Sequence, residues 1–249
     1  VLMRFDNRSN LSMCVSSQVG CKMGCIFCAT GKNGFKRNLL PHEIVSQILL
    51  AQIDTGLKIT NVVFMGQGEP LDNFENVKRA LELINKNLQI SIRRITLSTS
   101  GIVPKIIELS NNTLIPTLAI SLHAPNHQIR ETIMPIEKKY NINELKKALL
   151  NYSSKTKDRV TIEYILIKDL NDSKECAKEL IDYLKDLKCN INLIPYNKTE
   201  NSSYDKPDKK TMLRFKYLLE QSGKKVTIRL ERGADIDAAC GQLSGRYNS

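Results

Sequence analysis

Three cysteines crowd into the segment Cys21-Lys22-Met23-Gly24-Cys25-Ile26-Phe27-Cys28, a C-x3-C-x2-C run. Thiolates are soft ligands suited to iron–sulfur clusters and to zinc. Gly20 and Gly24 let the backbone turn tightly around a shared metal unit. A structural zinc site closes with four ligands, and no neighbouring His supplies a fourth. Two readings follow. Three thiolates on a four-iron cluster leave one iron open for a substrate. A zinc site needs a distant fourth ligand such as Cys240 or His123.

The chain carries seven cysteines, the others being Cys14, Cys176, Cys189 and Cys240. An odd count in a 249-residue chain without a secretory signal argues against a disulfide framework. Apolar residues at 41% and charged residues at 25% describe an ordinary globular composition. No apolar run approaches a membrane span, so no membrane association is expected and the cytoplasm is the expected compartment. The formal charge of +11 gives a salt-dependent attraction for polyanions, nucleic acid among them. The chain opens at Val1, within a strand-like segment Val1–Phe5, which suggests a natural N-terminus further upstream.

The elements that must position these residues alternate. Strand-like runs are Met13–Ser16, Ile59–Met65, Arg94–Ser98, Thr117–Leu122, Val160–Ile167, Asn190–Ile194 and Val226–Leu230. Helical patterns lie between them at Pro41–Thr55, Asn73–Asn87, Val103–Asn111, Ile142–Tyr152, Ser173–Leu187 and Lys209–Ser222. Asn143 and Asp172 are candidate N-caps, and Ser153–Asp158 and Lys198–Pro207 read as polar loops. Alternating strands and helices predict an α/β fold with a parallel sheet, open or barrel-like, formed by residues 1–249 as one domain. Such sheets bind ligands at the carboxyl ends of their strands. Those ends read Gly66-Gln67-Gly68-Glu69-Pro70, Ser98-Thr99-Ser100-Gly101, Ser121-Leu122-His123 and Pro195-Tyr196-Asn197. Each is weak alone; together they point to a site beside the cysteine run.

With Phe27 before its last cysteine, the run resembles the C-x3-C-x-aromatic-C signature of radical S-adenosylmethionine (SAM) enzymes. Further stretches resemble the RlmN family of adenine-C2 RNA methyltransferases. They are Cys14-Val-Ser-Ser-Gln-Val-Gly-Cys21, Asn61-Val-Val-Phe-Met-Gly-Gln-Gly-Glu-Pro70, Leu97-Ser-Thr-Ser-Gly101, Ala119-Ile-Ser-Leu-His-Ala-Pro-Asn126, Asn192-Leu-Ile-Pro-Tyr-Asn197 and Asp235-Ile-Asp-Ala-Ala-Cys-Gly-Gln-Leu243. The resemblance implies a partial (β/α)6 radical-SAM barrel and a [4Fe–4S] cluster on Cys21, Cys25 and Cys28. It implies SAM contacts from Gly68, Glu69, Ser98, Ser121, Leu122, His123 and Asn197, with Leu122 contributing through its backbone. It also implies catalytic roles for Cys240 and Cys14. Cys240 would take a methyl group from one SAM; a radical derived from a second would activate that group for addition to adenine C2. Cys14 would assist proton loss and release the product by forming a disulfide with Cys240. The implied partners are 23S ribosomal RNA, transfer RNA and an electron donor such as flavodoxin or ferredoxin, with the enzyme a monomer. The family's small N-terminal helical domain and an acidic proton acceptor would precede Val1.

Cys176 and Cys189 match no motif and read as small buried hydrophobes. Arg93, Arg94, Arg130, Lys138 and Lys139 are candidate phosphate contacts. Two other functions remain open at this stage: a Cfr-like adenine-C8 methyltransferase, and a non-enzymatic zinc- and RNA-binding module.

Overall fold

The structure is a computed structural model and describes residues 1–3, 11–198, 202–229 and 241–243. Its strands are β1 (Leu2–Met3), β2 (Ser12–Cys14), β3 (Gln18–Gly20), β4 (Phe35–Asn38), β5 (Asn61–Phe64), β6 (Ile95–Thr99), β7 (Thr117–Ser121), β8 (Val160–Leu166), β9 (Cys189–Pro195) and β10 (Lys225–Ile228). Its helices are α1 (Ala29–Lys32), α2 (Pro41–Thr55), α3 (Phe74–Lys86), α4 (Val103–Leu109), α5 (His127–Ile133), α6 (Ile142–Thr156), α7 (Lys174–Leu184) and α8 (Lys209–Gln221). Eight strands form one sheet in the order β1-β2-β5-β6-β7-β8-β9-β10. Only β1 runs antiparallel within it; each later strand pairs in parallel with the one before, after a helical crossover. This is the expected α/β fold, a curled parallel sheet forming a partial barrel. β3 and β4 make a separate antiparallel hairpin.

Alternation along the strands separates two environments. Met13, Val62, Leu97, Leu118, Ile162, Tyr164, Ile191, Leu193 and Val226 point outward into one apolar core shared with the helices. Between them stand Cys14, Thr96, Ser98, Ser121, Thr161, Glu163, Asn190 and Asn192, which therefore line the inner face. In barrel terms the outside is oily and the lumen polar. Cys176 and Cys189 belong to the outer core, 7% and 1% exposed, as expected of small hydrophobes.

Most expected elements are present, and the differences have local causes. α6 is capped by Asn141 rather than Asn143: the Asn141 Oδ1 accepts from the N–H groups of Asn143 and Glu144, both at 3.0 Å, and Glu144 reaches back to the Asn141 N–H. α7 is capped by Ser173, because Asp172 is already accepting from the Asp169 N–H at 3.1 Å. Ser153–Thr156, expected as loop, continues α6 until Lys157 turns left-handed at φ 61°. β3, β4, α1 and α5 were not expected; each is short and polar or glycine-rich, with little periodicity to read.

Arg130 is a correction. It is 0% exposed and cannot be a surface phosphate contact. Its guanidinium donates to the Ser100 carbonyl (2.6 Å), the Leu122 carbonyl (3.2 Å) and the Glu137 carboxylate (2.5 Å). The other Glu137 oxygen accepts from the Ile142 N–H at 2.8 Å. One buried cation thus ties the ends of β6 and β7 to the start of α6. Arg93, Arg94, Lys138 and Lys139 are exposed, as phosphate contacts must be.

Removing Arg130 would strand the Glu137 carboxylate and two strand-end carbonyls. Arg130→Met is expected to destabilise the fold by about 3–5 kcal/mol, read as a thermal midpoint lowered by roughly ten degrees. An unchanged melting curve would show that the tie carries no load.

Candidate active site at the strand ends

The cysteine loop leaves the β3–β4 hairpin and is held at three points. The Cys21 N–H donates to the Gly34 carbonyl (2.9 Å), the Ile26 N–H to Ile133 (3.1 Å), and the Ala29 N–H to Gly241 (2.7 Å). Gly20 permits the first contact: its φ is +77°, and a Cβ there would stand 1.9 Å from the Gly34 oxygen. Behind the loop Phe27, Ala124, Ile133, Met134, Ile136, Ile165, Ile167 and Tyr196 form a second apolar cluster. The three thiols are partly buried, and burial pushes Cys21 up to about 12 and Cys25 higher still. As free thiols Cys21 and Cys25 hold their protons, and a bound metal would displace them.

The Gly66–Glu69 turn is zipped onto the stretch following β2. Gly66 N–H donates to Val15 O, Gln67 N–H to Ser16 Oγ, and Glu69 N–H to Gln18 Oε1, at 3.0, 3.0 and 2.9 Å. Gly68 has φ +97°, and a Cβ would lie 2.5 Å from Gln18 Cβ and 2.8 Å from Gln18 N. No other residue fits this approach. The Glu69 carboxylate is 3% exposed and accepts from the N–H groups of Leu71 (2.9 Å) and Ser100 (2.7 Å). Burial nevertheless raises its pKa above the usual carboxylate range.

His123 closes β7 in a left-handed conformation, φ 58°. Its Nδ1 accepts from the Ile165 N–H at 3.0 Å, which places the ring proton on Nε2. Burial first, and Arg130 second, lower its pKa to about 3. Phe27 packs edge-on against the ring with centroids 4.8 Å apart. Asn171 fixes the turn, donating to the carbonyls of His123 (2.8 Å) and Ile165 (2.7 Å). The residue therefore presents a neutral imidazole.

These parts enclose one cavity of about 160 Å³. Its wall includes Cys21, Cys25, Cys28, Gly68, Glu69, Ser98, Ser121 and His123 of the expected site residues. Leu122 lies buried behind the wall, its N–H on the Glu163 carbonyl (3.1 Å) and its own carbonyl taken by Arg130. Asn197 stands just past β9 outside the cavity lining. Cys14 ends β2, half-buried and facing the lumen. Cys240 lies outside the described residues, but Gly241, next to it in sequence, lines the cavity. Gly241–Leu243 are fastened there by Ala29 N–H, by Thr30 Oγ1 to the Leu243 carbonyl (2.9 Å), and by Gln242 Nε2 to the Lys198 carbonyl (3.2 Å).

Sequence reasoning missed Glu163, Arg229, Met65 and Ile165 in the wall. Glu163 and Ile165 could have been found from the alternation of β8, where an acid sits among apolar residues. Among the described residues, no three His, Cys, Asp or Glu side chains are grouped to hold a single metal ion. A zinc ion needs its ligands within about 2.3 Å, whereas a four-iron cluster spreads its thiolates over separate irons. The donor set fits the cluster better.

The radical SAM superfamily profile matches residues 15–184. A probable dual-specificity RNA methyltransferase RlmN of Clostridioides difficile (strain 630) is 49% identical over 99% of this chain and 72% of its own length. That of Clostridium botulinum (strain Hall) is 50% identical over 100% of this chain and 73% of its own. The chain belongs to the RlmN family. Within the wider superfamily, a radical SAM methyltransferase from Sphaerobacter thermophilus superposes with a TM-score of 0.94 at 42% identity, covering 98% of this chain and 72% of that one. Streptococcus suis SuiB bound to SAM shares the fold alone, with a TM-score of 0.65 at 17% identity over 90% of this chain and 52% of that one. Three of the RlmN motifs, at Gly68-Glu69, Ser98-Thr99-Ser100 and Ser121 with His123, fall at strand ends in the wall of the same cavity. Among the described residues no helix is long and apolar enough to cross a membrane.

His123 yields a pH prediction. Its folded pKa, about 3, lies below the unfolded value of 6.5, so the unfolded chain binds the extra proton between them. The stability it contributes is present above pH 6.5 and is lost as pH falls toward 3, at up to about 1.4 kcal/mol per pH unit. His123→Gln should flatten the acid limb of the stability curve in this window. An identical acid limb would contradict a neutral buried imidazole.

Proposed function

We propose that this chain is a radical SAM RNA methyltransferase that places a methyl group on C2 of adenine in 23S ribosomal RNA and transfer RNA. The observation that carries this reading is the convergence on one cavity of the cysteine loop, the strand-end residues and the Gly241–Leu243 segment that follows Cys240. RlmN membership favours C2 over C8.

Cys21, Cys25 and Cys28 would hold a [4Fe–4S] cluster, and SAM would lie against Gly68, Glu69, Ser98, Ser121 and His123, with Leu122 and Asn197 at its border. Together, once bound and reduced, they would supply a carbon-centred radical able to activate a methyl group for addition to adenine C2, a carbon with no lone pair to take a methyl group directly. The protein's own contributions are separable. Gly68 lets the turn close onto Gln18, and the buried Glu69 carboxylate locks that turn through Ser100 and Leu71. His123 offers an Nε2–H donor without adding positive charge. The apolar cluster around Phe27 and Ile165 excludes water from one end of the cavity.

Cys240 is the proposed methyl carrier, since a thiolate is the conventional nucleophile best suited to take a methyl group by displacement. Cys14 is the proposed resolving thiol, which would free the product through a disulfide with Cys240. Its place on the lumen side of β2 supports that role. A low-potential donor such as flavodoxin or ferredoxin would supply electrons, and we place the enzyme in the cytoplasm as a monomer. The exposed Arg93, Arg94, Lys138 and Lys139 are candidate RNA phosphate contacts.

Mass analysis of nucleosides from RNA incubated with reconstituted protein, SAM and reductant tests the reaction. 2-Methyladenosine is expected, and 8-methyladenosine would reject the C2 assignment. The cysteine roles predict opposite phenotypes. Cys14→Ala should accumulate protein covalently joined to RNA, visible as a slow band on denaturing gels, whereas Cys240→Ala should abolish both methylation and that band. Methylation by Cys240→Ala would remove it as the carrier.

A further inference from the structure

Three helical threonines, Thr55, Thr132 and Thr156, donate through their hydroxyls to the carbonyls four residues back, Ala51, Gln128 and Tyr152, at 2.6, 3.0 and 3.0 Å. Thr30 on α1 does not. Its hydroxyl donates to the Leu243 carbonyl at 2.9 Å, a partner 213 residues away in sequence, and the residue is 3% exposed. α1 begins directly after Cys28, and no side chain caps it. The N–H groups of a first helical turn find no partner within the helix, and the Gly241 carbonyl takes the one on Ala29 at 2.7 Å. Gly241 comes in flat against the cysteine loop. Its φ is +86°, and a Cβ there would stand 3.0 Å from the Phe27 carbonyl oxygen and 3.9 Å from the Cys28 Cα. A side chain in that left-handed conformation would be strained as well as crowded.

The two sides of this clamp carry different chemistry. One side is the turn that leaves the last cysteine of the run, and the other begins one peptide bond after Cys240. The Ala29 N–H belongs to the backbone, so the sequence-specific parts are the Thr30 hydroxyl and the missing side chain at Gly241. A thiol that must first meet a methyl donor and then present the methyl group to a radical has little positional tolerance. A misplacement of about 1 Å costs such a group about a hundredfold in rate. Tying the chain beside that thiol to the turn beside the cluster cysteines removes the freedom between them.

We propose that Thr30 is a positioning residue for the methyl carrier: with Gly241 it docks the segment after Cys240 on the turn after Cys28, so that the cluster loop and the carrier segment are held as one unit. The proposal rests on the carrier role assigned to Cys240 under the proposed function, but its test needs no RNA. Thr30→Val keeps the shape of the side chain and removes only the donor, while Thr30→Ser keeps the donor. Gly241→Ala disturbs the same contact from the opposite side.

The experiment compares anaerobically reconstituted wild-type, Thr30→Val, Thr30→Ser and Gly241→Ala proteins by hydrogen exchange and by mass analysis of the Cys240 peptide after incubation with methyl-labelled SAM. Exchange of the Ala29 amide reports the clamp directly. It should be about tenfold faster in Thr30→Val and Gly241→Ala, the loss of one hydrogen bond or its equivalent, and within roughly twofold of wild type in Thr30→Ser. Exchange along β8 should not change. Methyl transfer to Cys240 should slow by about tenfold or more in Thr30→Val and Gly241→Ala and return in Thr30→Ser, while both Thr30 variants keep wild-type cluster content and affinity for SAM. Should Thr30→Val fail to fold, Gly241→Ala carries the comparison. Wild-type exchange and transfer in Thr30→Val, a Thr30→Ser protein as impaired as Thr30→Val, or loss of cluster and SAM binding together with transfer would overturn the assignment. Should wild-type Cys240 take no methyl group while the exchange pattern holds, the carrier role falls and the docking of the segment on Thr30 stands.

Discussion

Successive side chains on a strand must face opposite ways, and on a curled parallel sheet one face is the core and the other the lumen. The remaining features depend on that division. The outward residues, such as Leu97, Leu118, Ile162 and Leu193, fuse with the helices into one apolar core. The inward residues are free to be Ser98, Ser121, Glu163 and Asn192 without weakening it. A register slip of one residue on β8 would exchange Glu163 for Tyr164 in the lumen and drive the carboxylate into the helices. Parallel pairing adds the second half of the constraint, because it brings every strand to the same rim and so gathers the turns that follow into one place.

The rim is fixed by polar ties rather than by packing alone. Arg130 joins the ends of β6 and β7 to Glu137, Asn171 holds the turn at His123, and Gln18 receives the Gly66–Glu69 turn. Each is a buried polar residue with at least one hydrogen bond directed at backbone. Such groups are costly when broken and specify one arrangement when complete. They leave the cavity wall itself, from Gly68 to His123, with little freedom to move. A preformed wall lowers the ordering cost of ligand binding. The cysteine loop is held by backbone hydrogen bonds at Cys21, Ile26 and Ala29, and its three cysteines line the cavity.

Much of this was legible in the sequence. The cysteine spacing, the strand-end turns and the β/α alternation led to the fold and to a site on the correct rim, because each has a short-range cause: ligand geometry, turn residues, hydrophobic period. Arg130 was misread as a surface cation since its burial comes from partners outside its own helix, Ser100, Leu122 and Glu137. Glu163 was passed over although the alternation of β8 marks it as an inward acid; its register with Ser121 and Asn192 is what the sequence alone does not show. The caps at Asn141 and Ser173 were displaced from their expected positions by one or two residues, where neighbouring polar side chains compete for the same backbone donors.

The central claim is that the cysteine loop and the strand ends form a single site in which an iron–sulfur cluster meets SAM. Electron paramagnetic resonance of the reconstituted, reduced protein tests it most directly. The account predicts a [4Fe–4S]+ signal whose g values shift when SAM is added, and no such shift in Gly68→Ala, where a Cβ would collide with Gln18. A cluster signal indifferent to SAM in the native protein, or a protein that takes up only zinc, would contradict it.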